Sequence, residues 1–272
     1  MIKQAIIPLA GLGTRLLPLT SVIPKELLPI NGKPNLEYIL EECLEAGIKQ
    51  FIFIISKKKI NIKKYFFNDS YYKKVIMSKK DKRIIEEFRK IKKYQKMIKF
   101  VYQNKPKGTG DAVLKCKSHI KNNFFLMLLP DDLIIKKNCT KEMIKLHNRT
   151  KGSIIATKRV KKKTVSRWGI LSIKNKNKNY FQINDVIEKP SIKKAPSDYA
   201  IIGRYILPIS IFDEIKKLKP GKGGEIHITD AIRNLILRGN NFFGNIFKGK
   251  YLDCGTINGY IQSGIQIFKG NS

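Results

Sequence analysis

Gly11-Leu12-Gly13-Thr14-Arg15 and, ten residues further on, Pro24-Lys25-Glu26-Leu27-Leu28-Pro29 are the parts of this chain whose residue types and spacing point most directly to chemistry. Glycines at the end of a strand let backbone N–H groups come close to a phosphate, because no Cβ stands in the way. Arg15 and Lys25 then add the positive charge that a polyphosphate needs. The pattern is not the dinucleotide fingerprint, because position 16 is Leu where a third glycine is required, and it is not a P-loop, which needs G-x-x-x-x-G-K-[ST]. A lone Gly-x-Gly is as often a plain turn. Thr14-Arg15 behind it and the Pro-Lys-Glu cassette downstream favour a nucleotide-handling loop.

The elements that must position this loop follow from the apolar pattern. Gln4-Ala5-Ile6-Ile7-Pro8-Leu9-Ala10 has strand character and empties into Gly11. Asn31-Gly32-Lys33 predicts a turn and Pro34 a helix start, with Leu36, Ile39, Leu40, Cys43 and Leu44 at helical spacing until Gly47. Residues 50–55 are apolar after the first, as in a buried parallel strand. The Lys-rich stretch 57–96 is expected to form two helices around a loop, with 99–103 a strand, 111–119 a helix and 124–129 a central strand ending near Asp131. Segments 153–160, 169–174 and 181–188 are β-rich, with a hairpin-like break over 174–179, and 228–237 and 258–268 are expected to close the chain as helices. Strands alternating with helices indicate α/β architecture with a mixed, mostly parallel Rossmann-like sheet. Ligands of such sheets sit at the carboxyl ends of strands, where Gly11, Gly108 and Asp131 fall. With no Gly/Ser/Pro linker, residues 1–272 read as one domain.

The 272 residues suffice for a full core, and 42% apolar with 10% aromatic content excludes a disordered chain. No stretch approaches the roughly 20 apolar residues of a membrane span, and no secretory signal pattern precedes the first loop. Cys43, Cys116, Cys139 and Cys254 are scattered without C-x-x-C spacing and read as buried, reduced thiols of a cytoplasmic protein. His119, His147 and His227 read as surface or helix residues. The net charge of +34 is the odd feature. Nucleic-acid binding would use such a surplus, but lysine supplies nearly all of it. Runs such as Lys57-Lys58-Lys59 and Lys161-Lys162-Lys163 resemble solvated faces, and the lysine excess accompanies abundant Ile and Asn, as in AT-biased coding. Specific nucleic-acid binding is therefore not expected.

Over residues 2–268 the chain resembles the bacterial sugar-1-phosphate nucleotidylyltransferases. The resemblance rests on the first loop and Pro24–Pro29, on Gln103-Asn104-Lys105-Pro106-Lys107-Gly108-Thr109-Gly110-Asp111-Ala112-Val113, and on Leu129-Pro130-Asp131-Asp132. It continues through Trp168-Gly169-Ile170, Glu188-Lys189-Pro190, Ile202-Gly203-Arg204-Tyr205, Gly224-Glu225-Ile226-His227-Ile228-Thr229-Asp230-Ala231 and Asp253-Cys254-Gly255, in that order. It implies a nucleotide-diphospho-sugar transferase fold, with a nucleotide-binding part over about 1–135, a small β-rich sugar-phosphate-binding part within about 136–256, and a C-terminal helix over about 257–269. The implied reaction is Mg²⁺-dependent transfer of a uridylyl group from UTP to glucose 1-phosphate, with release of pyrophosphate, in a homo-oligomer (dimer or tetramer).

Such a transfer joins two anions, so cations and positioning, not a protein nucleophile, must carry it. The resemblance places Ala10 and Gly11 backbone groups and the Gln103 amide, with Gly108, at the uracil, and gives Gly13, Thr14 and Glu26 to the nucleotide. Arg15 and Lys25 would neutralise the triphosphate and Lys189 would hold the sugar phosphate, so these three are the candidate catalytic residues. Glu188 would accept from sugar hydroxyls, and Gly169 and Gly203 would present backbone amides to the sugar. Asp131 and Asp253 match the family's metal-ligand positions, although Asp is also a common turn and cap residue and Asp132 is an alternative. Asp111 departs from the neutral or basic residue usual there and is expected to cap the helix beginning at Ala112. Trp168 stands where a smaller aromatic is usual. A thymidylyltransferase using dTTP is the nearest rival; an inactive basic nucleic-acid-binding paralogue is a rival of another class.

Overall fold

In a computed structural model, which describes residues 2–67, 70–79 and 81–271, the apolar strands assemble into one nine-stranded sheet. In chain order the elements of the first half are β1 (Gln4–Pro8), the short hairpin β2 (Pro29–Ile30) and β3 (Lys33–Pro34), α1 (Asn35–Glu45), β4 (Gln50–Ile55), α2 (Ile60–Phe67), α3 (Ser70–Lys79), α4 (Lys82–Gln95), β5 (Ile98–Tyr102), α5 (Gly108–Leu114) and β6 (Phe124–Leu128). The second half adds β7 (Asp132–Ile135), α6 (Cys139–Thr150), β8 (Ser153–Arg159), β9 (Gly169–Lys176), β10 (Tyr180–Glu188), β11 (Tyr199–Pro208), α7 (Ile211–Lys217), α8 (Ile228–Leu237), β12 (Phe242–Ile246), β13 (Lys250–Asp253) and α9 (Ile257–Asn271).

The strand order is β5-β4-β1-β6-β11-β8-β12-β10-β9. The four strands from β5 to β6 are mutually parallel. β11 then inserts antiparallel between β6 and β8. Beyond it only β8 and β12 pair in parallel, while β10 is antiparallel to both β12 and β9. The mixed sheet agrees with the sequence, with its parallel character concentrated in the first half. Alternation sets the two core layers: Ala5, Ile7, Phe51, Phe53, Leu126 and Leu128 face one cluster, and Ile6, Ile52, Ile54, Phe125 and Met127 the other. Leu36, Ile39, Leu40 and Cys43 of α1, with Met143 and Leu146 of α6, cover the first face; Ala231, Ile232 and Leu235 of α8, with Phe212 of α7, cover the second.

Most predicted elements stand within a residue or two of their expected bounds, and three regions differ. The 57–96 stretch holds α2, α3 and α4, three helices instead of two, with residues 68–69 and 80 outside those described. The expected helix 111–119 is α5, which starts at Gly108, followed by a short turn of helix over Lys117–His119. The elements β2, β3, β7, α6, β11, α7, β12 and β13 were not anticipated. All four cysteines are buried and unpaired. Among the described residues no helix is long and apolar enough to cross a membrane.

Candidate active site

The carboxyl ends of β1, β4, β5 and β6 open on one edge of the sheet, together with the start of the antiparallel β11. Past β1, Ala10 is buried while Gly11, Thr14 and Arg15 lie exposed in the first loop. The loop is held from beneath, because the Thr20 hydroxyl donates to the Gly13 carbonyl at 2.9 Å. Lys25 reaches across to the tip of β6, its Nζ 2.8 Å from Asp131 Oδ2, and the Arg15 guanidinium approaches the same oxygen at 3.5 Å. Burial would pull the Lys25 ammonium down, but Asp131 and Glu26 outweigh it and hold it above the ordinary lysine range. Burial likewise pushes the Asp131 carboxyl up, and the charges of Lys25 and Arg15 overcome this and hold it low. Both groups are therefore charged and already oriented.

Glu26 is fully buried, and both of its oxygens accept from Lys59 Nζ at 2.8 Å. Its carboxylate is thus turned into the protein beneath the loop, not toward the nucleotide position expected for it. Lys59 corrects a second expectation: Lys57 and Lys58 are exposed as a solvated run should be, but Lys59 is buried. Burial pushes Lys59 below the usual lysine range despite Glu26. Its spacing to Ile62 and Phe66, both buried, was the signal available in the sequence, since residues three and seven apart share a helix face.

Asp131 and Asp253 converge although 122 positions separate them. β13 pairs with β7 so that Asp253 lies opposite Asp132, and the Cys254 N–H donates to the Asp131 carbonyl at 2.8 Å. A Cβ on Gly255 would lie 2.8 Å from Asp131 Oδ2, 2.8 Å from Arg15 Nη2 and 3.2 Å from Asp253 Oδ1. The glycine therefore leaves open a gap that two carboxylates and a guanidinium share. Arg167 contacts Asp253 Oδ2 at 3.2 Å from the other side. Asp132, the alternative, serves the fold. It accepts from the Tyr251 hydroxyl at 2.6 Å and packs where a side chain on Gly203 would stand. Burial and the neighbouring Asp131 push its carboxyl up to about 6. Trp168 meets Tyr251 edge-on at 6.0 Å, buttressing that hydroxyl. Gly203 is accordingly buried against Asp132, with no room for a side chain. Beneath it, fully buried Arg204 pairs with Glu42 at 2.8 Å and donates to the Leu129 carbonyl, bracing the end of β6.

At the end of β5, Gln103 is buried with its backbone N–H on the Ile55 carbonyl. Its Nε2 donates to Asp111 Oδ2 at 2.7 Å and to the Gly108 carbonyl at 3.2 Å. Asp111 is therefore a partner of Gln103 within the first turn of α5, not the helix cap expected of it. Gly108 has φ +93°, and a Cβ there would come within 2.5 Å of the Ile226 carbonyl oxygen, so both backbone shape and packing demand glycine. The Ile226 N–H donates to the Lys107 carbonyl and the Gly110 N–H to the Ile226 carbonyl, strapping the 224–231 motif onto this loop.

The third cluster lies on the β9–β10 hairpin. Glu188 pairs in register with the buried Gly169 and accepts from the Thr229 hydroxyl at 2.9 Å. Lys189 adopts a left-handed backbone (φ 44°), fixed by its N–H on the Trp168 carbonyl at 2.9 Å. Its half-exposed ammonium touches only Glu188 Oε1 among the ion pairs described, at 3.4 Å. The fold thus gathers Arg15, Lys25, Asp131, Asp253 and Arg167 at one point. Gln103 and Gly108 stand at the end of the parallel strands, and Glu188 and Lys189 on the hairpin of the other half. Lys59, Arg167, Arg204 and Tyr251 are supporting residues to which the sequence reading gave no role in the site.

Comparison with known proteins identifies the family. Residues 4–269 match the family described as Nucleotidyl transferase. The UTP–glucose-1-phosphate uridylyltransferase of Mycoplasma pneumoniae is 37% identical over 270 residues, which cover 97% of this chain and 91% of that protein. UTP–glucose-1-phosphate uridylyltransferase 2 of Streptococcus pyogenes is 36% identical over 274 residues, covering 97% and 89%. Among solved structures, a UDP-glucose pyrophosphorylase complexed with UDP-glucose is 37% identical with a TM-score of 0.89, covering 99% of this chain and 100% of that one. The UTP-bound enzyme from Acinetobacter baumannii is 30% identical, also with a TM-score of 0.89, covering 98% and 93%. A full-length family match, these identities and the shared fold establish that the chain belongs to the nucleotidyl transferase family.

Proposed function

We propose that the chain transfers a uridylyl group from UTP to glucose 1-phosphate, giving UDP-glucose and pyrophosphate. The observation that carries this reading is the convergence of Asp131 and Asp253 on the gap at Gly255, with Lys25 and Arg15 beside it. The names of its full-length relatives support the choice of UTP over dTTP.

A phosphate oxygen of glucose 1-phosphate would attack the α-phosphorus of UTP in line. The bond to the bridging oxygen breaks as the new one forms, and the electron pair leaves with pyrophosphate, with no covalent enzyme intermediate. Lys25 and Arg15 would neutralise the triphosphate, Arg15 being the more exposed and nearer the departing pyrophosphate. Lys189 would hold the sugar phosphate against the repulsion of the α-phosphate, and Glu188 would accept from sugar hydroxyls. Gln103, Gly108 and the backbone of Ala10 and Gly11 would meet the uracil, with Gly13 and Thr14 shaping the loop around the phosphates. On this reading residues 1–135 serve the nucleotide, 136–256 serve the sugar phosphate, and Gly169, where a side chain would crowd Glu188, would present its backbone amide to the sugar.

A divalent cation, Mg²⁺ by preference, fits the donors present. Among the described residues no cluster of three or more His, Cys, Asp or Glu is built to cage a metal, and two carboxylates completed by substrate phosphates is the usual magnesium arrangement. Asp131 and Asp253 would hold the ion, which supplies charge neutralisation at the reacting phosphates. We further propose a cytoplasmic homo-oligomer, as the family resemblance implies. The test is pyrophosphate release from purified protein with glucose 1-phosphate and Mg²⁺, run with UTP, dTTP, CTP, ATP and GTP in parallel. Strong preference for UTP is expected; preference for dTTP would replace the nucleotide, and inactivity with all five would reject the proposal.

A further inference from the structure

Gln103 presents an amide, which can read a base with its N–H groups, its carbonyl oxygen, or both. In this chain both hydrogens of Nε2 are already committed, one to Asp111 Oδ2 at 2.7 Å and one to the Gly108 carbonyl at 3.2 Å. The reverse orientation of the amide is excluded by chemistry. It would set Oε1 against a carboxylate and a backbone carbonyl, neither of which has a hydrogen to give. Burial raises the cost of such a mismatch, since Gln103 is only 6% exposed and its unpaired atoms would find little water. The two acceptors are themselves fixed. Asp111 sits in the first turn of α5 with Lys115 Nζ 3.9 Å from its second oxygen, and Gly108 lies between Lys107 and Gly110, both hydrogen-bonded to Ile226.

We infer that Asp111 is a specificity-positioning residue: with the Gly108 carbonyl it locks the Gln103 amide so that only Oε1 is offered to the base. The inference rests on the proposed function, in which Gln103 meets the base. Set against the ring nitrogen of the pairing edge, and not against an exocyclic amino group, an acceptor alone demands a ring N–H. Uracil and thymine supply one at N3, whereas cytosine at N3 and adenine at N1 present a lone pair and are repelled. The amide in this chain is therefore a one-sided reader that rejects cytosine by repulsion, not only by loss of a bond.

The experiment compares kcat and KM for UTP and for CTP in the full-length protein and in its Asp111→Ala and Asp111→Asn variants, with glucose 1-phosphate and Mg²⁺. Removing the carboxylate frees one N–H and lets the amide turn, so Asp111→Ala should lower the UTP-to-CTP ratio of kcat/KM by about tenfold or more. Most of that change should appear as a lower KM for CTP. Asp111→Asn keeps an acceptor that can hold Nε2 and should retain most of the ratio, which also protects the test if the alanine variant folds poorly. A merely structural role would weaken both nucleotides together and leave the ratio unchanged, and that result in Asp111→Ala overturns the inference while leaving uridylyl transfer standing. Wild-type protein without preference for UTP over CTP would overturn the function reading and this inference with it.

Discussion

The two ends of the site hold their charges in opposite ways. At the Asp131 end the side chains of Lys25 and Asp131 are only 17% and 16% exposed and 2.8 Å apart, and the loop carrying Lys25 is pinned by the buried Glu26–Lys59 pair. At the hairpin end Lys189 is 45% exposed and 3.4 Å from Glu188. The first arrangement fixes charge before any substrate arrives, as expected where new charge develops during reaction and reorganisation would be costly. The second leaves an ammonium in water, where its pairing with a carboxylate is worth little and is readily exchanged for a better anion. Under the proposed mechanism, preorganisation is thus concentrated where the uridylyl group would move, and adaptability where the second substrate would enter.

The contrast can be broken from either end. The largest effect is expected from Asp131→Ala, which removes the carboxylate around which Lys25 and Arg15 are arranged. Steady-state turnover should fall by about a thousandfold or more, with an unchanged far-UV circular dichroism spectrum; near-normal turnover would remove Asp131 from the metal-binding role. Next, Lys59→Met strands the Glu26 charge in the interior and should cost about 3–5 kcal/mol of stability in denaturant unfolding. Adding Glu26→Leu should recover most of that loss, because an apolar pair of similar volume avoids the desolvation of both ions. A mild effect of Lys59→Met alone would mean that the pair is not needed to pin the loop. At the other end, Lys189→Ala should leave the fold intact and raise KM for glucose 1-phosphate by about tenfold or more, with a smaller change for UTP. The reverse ordering would displace Lys189 from the sugar phosphate. The smallest effect belongs to the overall charge: raising salt from about 50 to about 200 mM should lower kcat/KM a few-fold through screening of substrate steering.

Local signals in the sequence were enough to find β1, β4, β5, β6, β9 and β10 and the glycine loop itself, since strand character, turn chemistry and apolar spacing act within a few residues. Residues 50–55 and 228–237 fold within the predicted bounds for this reason. What escaped depends on partners far away in the chain. β11 was not anticipated, and only its insertion between β6 and β8 reveals that Gly203 must make room for Asp132 and that Arg204 must meet Glu42, 162 positions distant. Choosing between Asp131 and Asp132 likewise needed Tyr251, 119 positions from Asp132, to claim the second carboxylate. Lys59 shows the limit of reading charge runs as solvated faces, because one lysine in three turned inward to answer a carboxylate that the sequence placed 33 residues earlier. Asp111 was noticed as a departure but mistaken for a cap, since its partner lies across a loop.

In the proposed mechanism clamped charges, without a protein nucleophile, carry the uridylyl group directly from one phosphate to another. The most direct test is exchange of labelled pyrophosphate into UTP by the purified enzyme with Mg²⁺, with and without UDP-glucose. Direct transfer predicts labelled UTP only when UDP-glucose is present, because pyrophosphate must attack a uridylyl group still bound to the sugar phosphate. Label entering UTP in the absence of any sugar nucleotide or sugar phosphate would reveal a uridylyl-enzyme intermediate and contradict the account.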